Sequence, residues 1–233
     1  MKPPNTAAPS VQNKPAKIME DNLPKEFTAI VAAAGKSRRY GSPKLLELLP
    51  GTGVSVIEHL VQQLFKGGVS GVIVVLGPPG QQPYDQIAEL VASAGGTAIQ
   101  IDPHPAEMID SVKAGLRHYL KHFQPEASSA CYILMTPADL PGISPEYVRK
   151  LLSECRLRTE SLIRGQTLAG RGVHPVAIRQ ELIGKILQSP MPDGLKALWS
   201  DSLIERYEFL WEEPDVAHDL DFPHDWKNFT ENG

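Results

Sequence analysis

Basic residues and a glycine are concentrated in one short loop near the start of the chain. The segment 32–44 reads AAAGKSRRYGSPK and places Arg38, Arg39 and Lys44 beside Gly35. Gly35 lets the backbone turn closely around a ligand because it lacks a Cβ atom, and successive N–H groups in such a turn can form an anion-binding nest. Three nearby cations supply the donors and the charge that a triphosphate needs. The loop therefore predicts a triphosphate site, and a solvated basic turn is the alternative.

This loop differs from two well-known phosphate-binding motifs. A P-loop requires G-x-x-x-x-G-K-[ST], but Ile30 occupies the position of its first glycine. The dinucleotide fingerprint G-x-G-x-x-G does not occur there either. The triphosphate prediction therefore depends on the glycine, the cations and their position along the chain.

Carboxylates in two later segments could hold a divalent metal. Asp139 lies between Pro137 and Pro141, directly after a predicted strand, so its position is rigid. Asp219 and Asp221 alternate in the segment DLDFPHD, and an extended strand would direct both to one side. Mg²⁺ prefers one or two carboxylates together with phosphate oxygens and water. We predict that Asp139 holds magnesium, with a turn-capping role as the alternative, and either Asp219 or Asp221 could reach the same metal.

The segments that must position these residues alternate between strands and helices. Short apolar runs predict buried strands, and apolar residues at helical spacing predict the helices between them. The predicted strands are 27–34, 70–76, 97–101, 130–135, 173–178 and 203–209, and the predicted helices are 54–65, 84–94, 106–123, 145–155, 180–188 and 194–199.

This alternation predicts an α/β fold, namely a three-layer α/β/α sandwich around a Rossmann-like, mostly parallel sheet. In open sheets of this class the ligand crevice lies beyond the carboxyl ends of the strands. The loops 35–44, 102–110 and 136–142 follow the first, third and fourth predicted strands. We therefore expect these three loops to converge on one site.

Composition limits the remaining possibilities. The chain is 42% hydrophobic and 21% charged, as in ordinary globular proteins, and its net charge of −4 disfavours non-specific nucleic-acid binding. No apolar run reaches the ~20 residues of a membrane span. Residues 1–25 are polar and proline-rich and are predicted to be a disordered tail, with a single domain over 26–233. Cys131 and Cys155 are predicted to be buried or incidental thiols, and the chain is expected to be cytoplasmic.

Three of these segments resemble motifs of the nucleotidyltransferases related to molybdenum cofactor cytidylyltransferase and molybdopterin guanylyltransferase. The first loop is similar to A-A-G-x-S-x-R-x-G-x-x-K, and its Ala-Ala-Gly opening is closer to the cytidylyl branch. The segment 137–141 is similar to the family's P-A-D-x-P motif, and 219–225 is similar to D-x-D-T-P-x-D, with Phe222 in place of threonine. The residues that match the first motif are Ala33, Ala34, Gly35, Ser37, Arg38 or Arg39, Gly41 and Lys44.

Two more segments carry the resemblance. The segment 111–116, SVKAGL, is similar to S-[LV]-x-A-G-L, which implies that Ser111 meets the nucleotide; for the neighbouring Asp110 a helix-capping role is the alternative. The segment 170–176, GRGVHPV, resembles the family's G-H-P-V stretch with one extra residue. This likeness implies that Arg171 and His174 line the acceptor pocket, although a plain strand entrance is equally compatible with it.

The resemblance implies a fold of the nucleotide-diphospho-sugar transferase type and a magnesium-dependent transfer of CMP from CTP to the phosphate of molybdenum–molybdopterin cofactor. The alternatives are guanylyl transfer, another phosphorylated acceptor such as a sugar phosphate or methylerythritol phosphate, and a non-catalytic nucleotide-binding chaperone. Contact with a molybdenum enzyme is a further possible partnership. The implied roles are catalysis by Lys44, Arg38 and Asp139, nucleotide binding by Ala33, Ala34, Gly35, Ser37, Arg38, Lys44 and Ser111, and metal binding by Asp139 and Asp221.

Overall fold

A computed structural model describes residues 27–35, 40–78, 83–101, 107–122 and 131–212. The predicted tail 1–25 and the site residues Ser37, Arg38, Asp219 and Asp221 lie outside the described residues. Their predicted roles stay predictions, as does the single domain over 26–233.

Seven strands form one sheet within the described part of the chain. The order across the sheet is β3-β2-β1-β4-β6-β5-β7. β6 is antiparallel to both of its neighbours, β4 and β5, whereas the other adjacent strands pair in parallel. The strands are β1 (Thr28–Ala33), β2 (Gly71–Leu76), β3 (Thr97–Gln100), β4 (Tyr132–Pro137), β5 (Leu162–Gln166), β6 (Val176–Arg179) and β7 (Arg206–Leu210).

Helices cover both faces of this sheet. β1 alternates its buried side chains, so that Ala29 and Val31 pack in one core and Ile30 packs in the other. The first core receives α1, α2 and α4, and the second receives α3, α5 and α6, which makes three layers. The helices are α1 (Val56–Lys66), α2 (Tyr84–Ser93), α3 (Met108–His122), α4 (Pro145–Leu157), α5 (Ile183–Gln188) and α6 (Lys196–Ser200).

The three-layer α/β fold and its mostly parallel sheet are confirmed. Four details differ from the sequence predictions. α1 begins at Val56 because the Ser55 hydroxyl caps it by accepting from the Glu58 N–H. The predicted helix 180–188 starts as a 3₁₀ turn, Gln180–Leu182. β5 was not predicted, and β6 is the antiparallel strand of the mostly parallel sheet, a direction that the sequence pattern did not indicate.

The described residues also settle two smaller points. Cys131 and Cys155 are both buried thiols outside any disulfide, as expected of structural thiols. Among the described helices, none has the length and apolar character that crossing a bilayer requires.

Gly115 allows α3 to lie unusually close to the sheet. A Cβ atom at this position would be 2.4 Å from Ile30 Cγ2 and 3.2 Å from Val75 Cγ2. These atoms belong to β1 and β2, so they are held by the sheet and have little room to move. A glycine at this point therefore sets the distance between α3 and the strands beneath it.

We predict that Gly115→Ala destabilises the protein by about 1–3 kcal/mol, the usual cost of overpacking a core. Gly184→Ala is the matched control, because no atom elsewhere in the described residues lies within 4 Å of the Cβ position of this exposed glycine in α5. The control should be neutral or stabilising by up to about 1 kcal/mol. Urea unfolding of both variants measures the difference, and equal stabilities would contradict the close-packing argument.

Candidate active site

The carboxyl ends of β1 and β4 lie side by side and at the same level. Ala32 is paired with Pro137 in the parallel register of the two strands. The contact continues past the strand end, where the Ala138 N–H donates to the Ala32 carbonyl at 3.1 Å. Residues that follow β1 and residues that follow β4 are thereby brought to one edge of the sheet, as the crevice rule predicts.

Asp139 projects from a firmly anchored segment. Its neighbours Ala138 and Leu140 are only 3% and 1% exposed, so the backbone on both sides is buried. The Asp139 carboxylate itself is 21% exposed. Burial of the flanking residues fixes the position of the Asp139 backbone, and the carboxylate remains accessible to a ligand.

Lys44 meets Asp139 from the other loop. It opens a 3₁₀ turn, Lys44–Leu46, in which Leu45 is buried. The Lys44 Nζ atom lies 2.5 Å from Asp139 Oδ2, and its side chain is 13% exposed. A salt bridge between residues 95 positions apart thus joins the first loop to the aspartate after β4.

The beginning of α3 supplies the third side of the site. Ser111 is 1% exposed, and it lies one helical turn before the close-packed Gly115. Asp110 is exposed, and its Oδ2 accepts from the Glu107 N–H at 3.1 Å, which is half of a capping box. The structure therefore shows the helix-capping alternative for Asp110, while Ser111 faces the cavity.

These elements enclose a cavity of about 320 Å³. Gly35 lines the cavity, and among the described residues beyond its chain neighbours no atom lies within 4 Å of the position that a Cβ atom would take there. Six described residues were predicted to bind the nucleotide, to hold the metal or to act in catalysis, and all six line the cavity: Ala33, Ala34, Gly35, Lys44, Ser111 and Asp139. The remaining lining residues are Ala32, Leu45, Met108, Pro137, Ala138 and His174.

His174 reaches this cavity because β6 runs against its neighbours. The amino end of an antiparallel strand lies at the carboxyl edge of the others, and Val176 is paired with Met135 there. His174 Nδ1 lies 3.4 Å from the Met135 carbonyl oxygen. Arg171, the other predicted acceptor residue, is exposed in the loop after β5.

The Tyr147 hydroxyl holds the backbone on both sides of His174. It lies 3.2 Å from the Val173 carbonyl and 3.0 Å from the Pro175 carbonyl, and it accepts from the Gly165 N–H at 2.9 Å. Burial raises the pKa of this phenol, so it keeps its proton. A Cβ at Gly165 would be 2.6 Å from the Tyr147 ring, so the ring can pack against β5 in this position because residue 165 is a glycine.

Burial lowers the pKa of the His174 imidazole. The hydrogen bond to the Met135 carbonyl and the charge of Asp139 raise this pKa, whereas the charge of Arg164 lowers it further. The imidazole is therefore neutral at physiological pH. When Nδ1 donates to the carbonyl, Nε2 remains as an acceptor.

Sequence reasoning missed several lining and supporting residues. Met108 is 56% exposed at the mouth of the cavity, although it is a large apolar side chain. Leu45, which follows Lys44 in the sequence, is a second large apolar residue that lines the cavity. Neither residue carries a chemical signature in the sequence, and Tyr147 looks there like any aromatic residue of an amphipathic helix.

The donor chemistry of the cavity suits a metal that arrives with phosphate oxygens. Asp139 is the acidic residue that lines it, and within the described ranges no group of three or more His, Cys, Asp or Glu side chains could form a cage. Mg²⁺ commonly takes one or two protein carboxylates and completes its shell with phosphate and water. Asp139 fits that role, and the predicted second ligand, Asp221, lies outside the described residues.

A family model described as "MobA-like NTP transferase domain" matches residues 29–207, a range that begins in β1 and ends in β7. The chain belongs to this family. The match contains every described residue that lines the cavity of this MobA-like domain.

Two curated relatives are cytidylyltransferases. This MobA-like domain is 26% identical over 182 residues to 2-C-methyl-D-erythritol 4-phosphate cytidylyltransferase from Aliivibrio fischeri strain MJ11, and 27% identical to the protein of the same name from strain ATCC 700601 / ES114. Each alignment covers 78% of this chain but 63% of the relative. The chain thus matches somewhat less than two thirds of each relative's length.

Solved structures share the fold. A nucleotidyl transferase from Methanothermobacter thermautotroptrophicus superposes with a TM-score of 0.69 at 22% identity, covering 90% of this chain and 98% of that one. Rv0371c from Mycobacterium tuberculosis H37Rv, in complex with manganese, gives a TM-score of 0.65 at 19% identity, covering 89% and 100%. Both likenesses confirm the three-layer architecture of this MobA-like domain.

The lowered pKa of His174 predicts a pH dependence of stability. The unfolded chain protonates this imidazole near its ordinary pKa of about 6.5, whereas the folded protein resists protonation. The unfolded state then binds more protons, so the unfolding free energy falls as the pH drops below about 6.5. His59 and His118, whose pKa values burial also lowers, act in the same direction.

We therefore expect His174→Gln to lose less unfolding free energy than the wild type between about pH 7 and about pH 5. Urea unfolding at a series of pH values measures this slope independently of any difference in absolute stability. An identical slope in the two proteins would show that His174 titrates normally.

Proposed function

We propose that this protein is a nucleotidyltransferase that moves a nucleoside monophosphate, preferably CMP, from its triphosphate to a phosphorylated acceptor. The observation that carries the proposal is the meeting of Lys44 and Asp139, 2.5 Å apart, at the carboxyl edge of the sheet. Lys44 is a cation suited to phosphate oxygens, and Asp139 is a carboxylate suited to Mg²⁺. Both line the same cavity as Gly35.

The chain's own residues would act by binding and orientation. A phosphate monoester has a second pKa of about 6 and is largely a dianion at neutral pH, so the acceptor needs no general base. Lys44 would compensate charge on the triphosphate as pyrophosphate leaves, and Arg38 is proposed to help it. Asp139 and Asp221 would hold Mg²⁺, which, when bound, supplies charge neutralisation at the phosphate oxygens.

Ser111 and His174 are proposed to orient the two substrates. Ser111 is buried at the start of α3, where its hydroxyl can hydrogen-bond a base or a ribose. His174 lines the same cavity as a neutral imidazole, and it would contact the acceptor. Arg171 is proposed to assist from the exposed loop beside His174. Catalysis would then come from holding the reacting groups in line, and no proton transfer by the protein would be needed.

Two acceptors have specific support. The similarity of the first loop and of the segment 170–176 to molybdenum cofactor cytidylyltransferase favours molybdenum–molybdopterin cofactor. The names of the curated relatives favour 2-C-methyl-D-erythritol 4-phosphate. Both acceptors are phosphate monoesters and both transfers would use CTP, so the same cavity chemistry serves either one.

A non-catalytic nucleotide-binding chaperone for molybdenum enzymes is the alternative from another class. The close pairing of Lys44 with Asp139 argues against it, because binding alone does not require a metal-holding carboxylate beside the phosphate-binding lysine. A chaperone would bind nucleotide and release no pyrophosphate.

We expect pyrophosphate release with CTP, magnesium and one of the two acceptors, and Asp139→Asn should slow it by about 10²–10³-fold. Coupled pyrophosphate assays with CTP, GTP and ATP, each with and without each acceptor, identify the substrates. Glu146→Gln is the control, because it removes a carboxylate from an exposed ion pair on α4. Unchanged turnover in Asp139→Asn would refute the assignment, and nucleotide binding without turnover for any pair would favour the chaperone.

A further inference from the structure

Arg164 is a cation beside the acceptor side of the cavity, and the proposed function gives it no role. It lies in β5, and its guanidinium covers Gly172, since a Cβ atom at Gly172 would be 2.4 Å from Arg164 Nη1. Gly172 is two residues before His174, which lines the cavity. The guanidinium therefore lies next to the segment that was predicted to line the acceptor pocket.

This guanidinium is held in place from several directions. Its Nε and Nη2 atoms lie 2.6 Å and 2.5 Å from Oε1 of Glu208, which is paired with Arg164 across β5 and β7. Its Cζ atom lies 4.6 Å from the centroid of the Trp199 ring, within the range of cation–π attraction. The backbone of Gly172 covers a further side. A side chain that is 25% exposed and held in this way has a fixed orientation.

Nη1 is the end of the guanidinium that faces away from Glu208. The carboxylate takes Nε and Nη2, so Nη1 points to the opposite edge, over Gly172. In the part of the chain that the structure describes, Nη1 makes no hydrogen bond to a protein acceptor. The N–H donors at Nη1 are thus available to a ligand.

The position of β5 indicates which part of the acceptor Arg164 would meet. β4, β6 and β5 are consecutive in the sheet, and two strand spacings amount to about 10 Å. Arg164 is thereby set to one side of the strand that Asp139 follows, but it is close enough to act on the cavity. Burial is the main cause of the lowered pKa of His174, and the charge of Arg164 lowers that pKa further.

We propose that Nη1 of Arg164 recognises an uncharged oxygen, either a carbonyl or a hydroxyl, in the part of the acceptor remote from its reacting phosphate. The inference rests on the proposed function and adds a specificity-determining residue to it. An uncharged oxygen is favoured because Glu208 already compensates the guanidinium charge, and a second anion would be repelled by the Glu208 carboxylate. The substrate class is a phosphate monoester whose body reaches about 10 Å from the phosphate.

Arg164→Lys tests the role of Nη1, because lysine keeps a positive charge beside Glu208 but loses the forked donors of the guanidinium. We expect the KM for the acceptor to rise on the order of tenfold, while kcat and the KM for CTP change by less than about twofold. A KM that rises at unchanged kcat reports lost substrate binding. Steady-state pyrophosphate release with Mg²⁺, CTP and each of the two acceptors measures these constants.

Gly172→Ala tests the same contact from the opposite side. The backbone at Gly172 lies outside the left-handed region, so the main chain accepts alanine, but the new Cβ must displace Nη1. We expect the same selective rise in the KM for the acceptor. Arg149→Lys is the matched control, because Arg149 pairs with Glu146 on the exposed surface of α4. This control should leave all three constants unchanged.

Inorganic phosphate separates the body of the acceptor from its reacting phosphate. It lacks a body, so we expect it to compete with the acceptor equally well in the wild type and in Arg164→Lys. If its inhibition weakened in the variant by the same factor by which the KM for the acceptor rose, then Arg164 would bind the reacting phosphate, and the inference would be overturned.

The kinetic outcomes distinguish this inference from the proposed function. Turnover by the wild type, with the same KM for the acceptor in Arg164→Lys, would overturn the inference and leave the proposed function standing. Equal rises in the KM values for CTP and for the acceptor would also overturn it, because they indicate a structural role for Arg164. Absence of turnover by the wild type with either acceptor would refute the proposed function, and this inference with it.

Discussion

The pairing of β1 with β4 is the constraint on which the site depends. These two strands are far apart in the sequence, but they are neighbours in the sheet and end at the same level. The Ala138–Ala32 hydrogen bond extends that alignment beyond the strands themselves. Because the register is fixed, the lysine that follows β1 and the aspartate that follows β4 meet at hydrogen-bonding distance. A slip of one residue would turn the side chains of a strand to its other face and would separate the pair.

The remaining walls of the cavity depend on close packing and on one reversed strand. Gly115 brings α3 against β1 and so sets the position of Ser111 one turn earlier. The antiparallel direction of β6 brings His174 to the carboxyl edge, and the Tyr147 hydroxyl bonds the carbonyls on both sides of it. Residues remote from the reacting groups, such as Gly165, therefore take part in shaping the cavity. Positional control of this kind suits a reaction whose catalysis is mainly orientation and charge compensation.

Much of this arrangement could be predicted from the sequence, because its strongest signals are local. The apolar runs indicate the strands of the sheet. The loops that follow two of these strands contain Gly35, Lys44 and Asp139, and they indicate the edge at which ligands bind. β5 was missed because the segment LIRGQ is short, contains an arginine and a glycine, and lacks a clear apolar run. The reversal of β6 was missed because strand direction depends on long-range pairing, which residue periodicity does not record. Tyr147 and Met108 were missed because their importance comes from what lies opposite them in three dimensions.

A crystal structure with Mn²⁺ and a non-hydrolysable CTP analogue tests the central claim most directly. The account predicts an anomalous manganese peak at the Asp139 carboxylate, triphosphate oxygens at Lys44, and the nucleoside near Ser111. In that complex the salt bridge between Lys44 and Asp139 should be open. Manganese bound away from Asp139, or a nucleotide outside this cavity, would contradict the account.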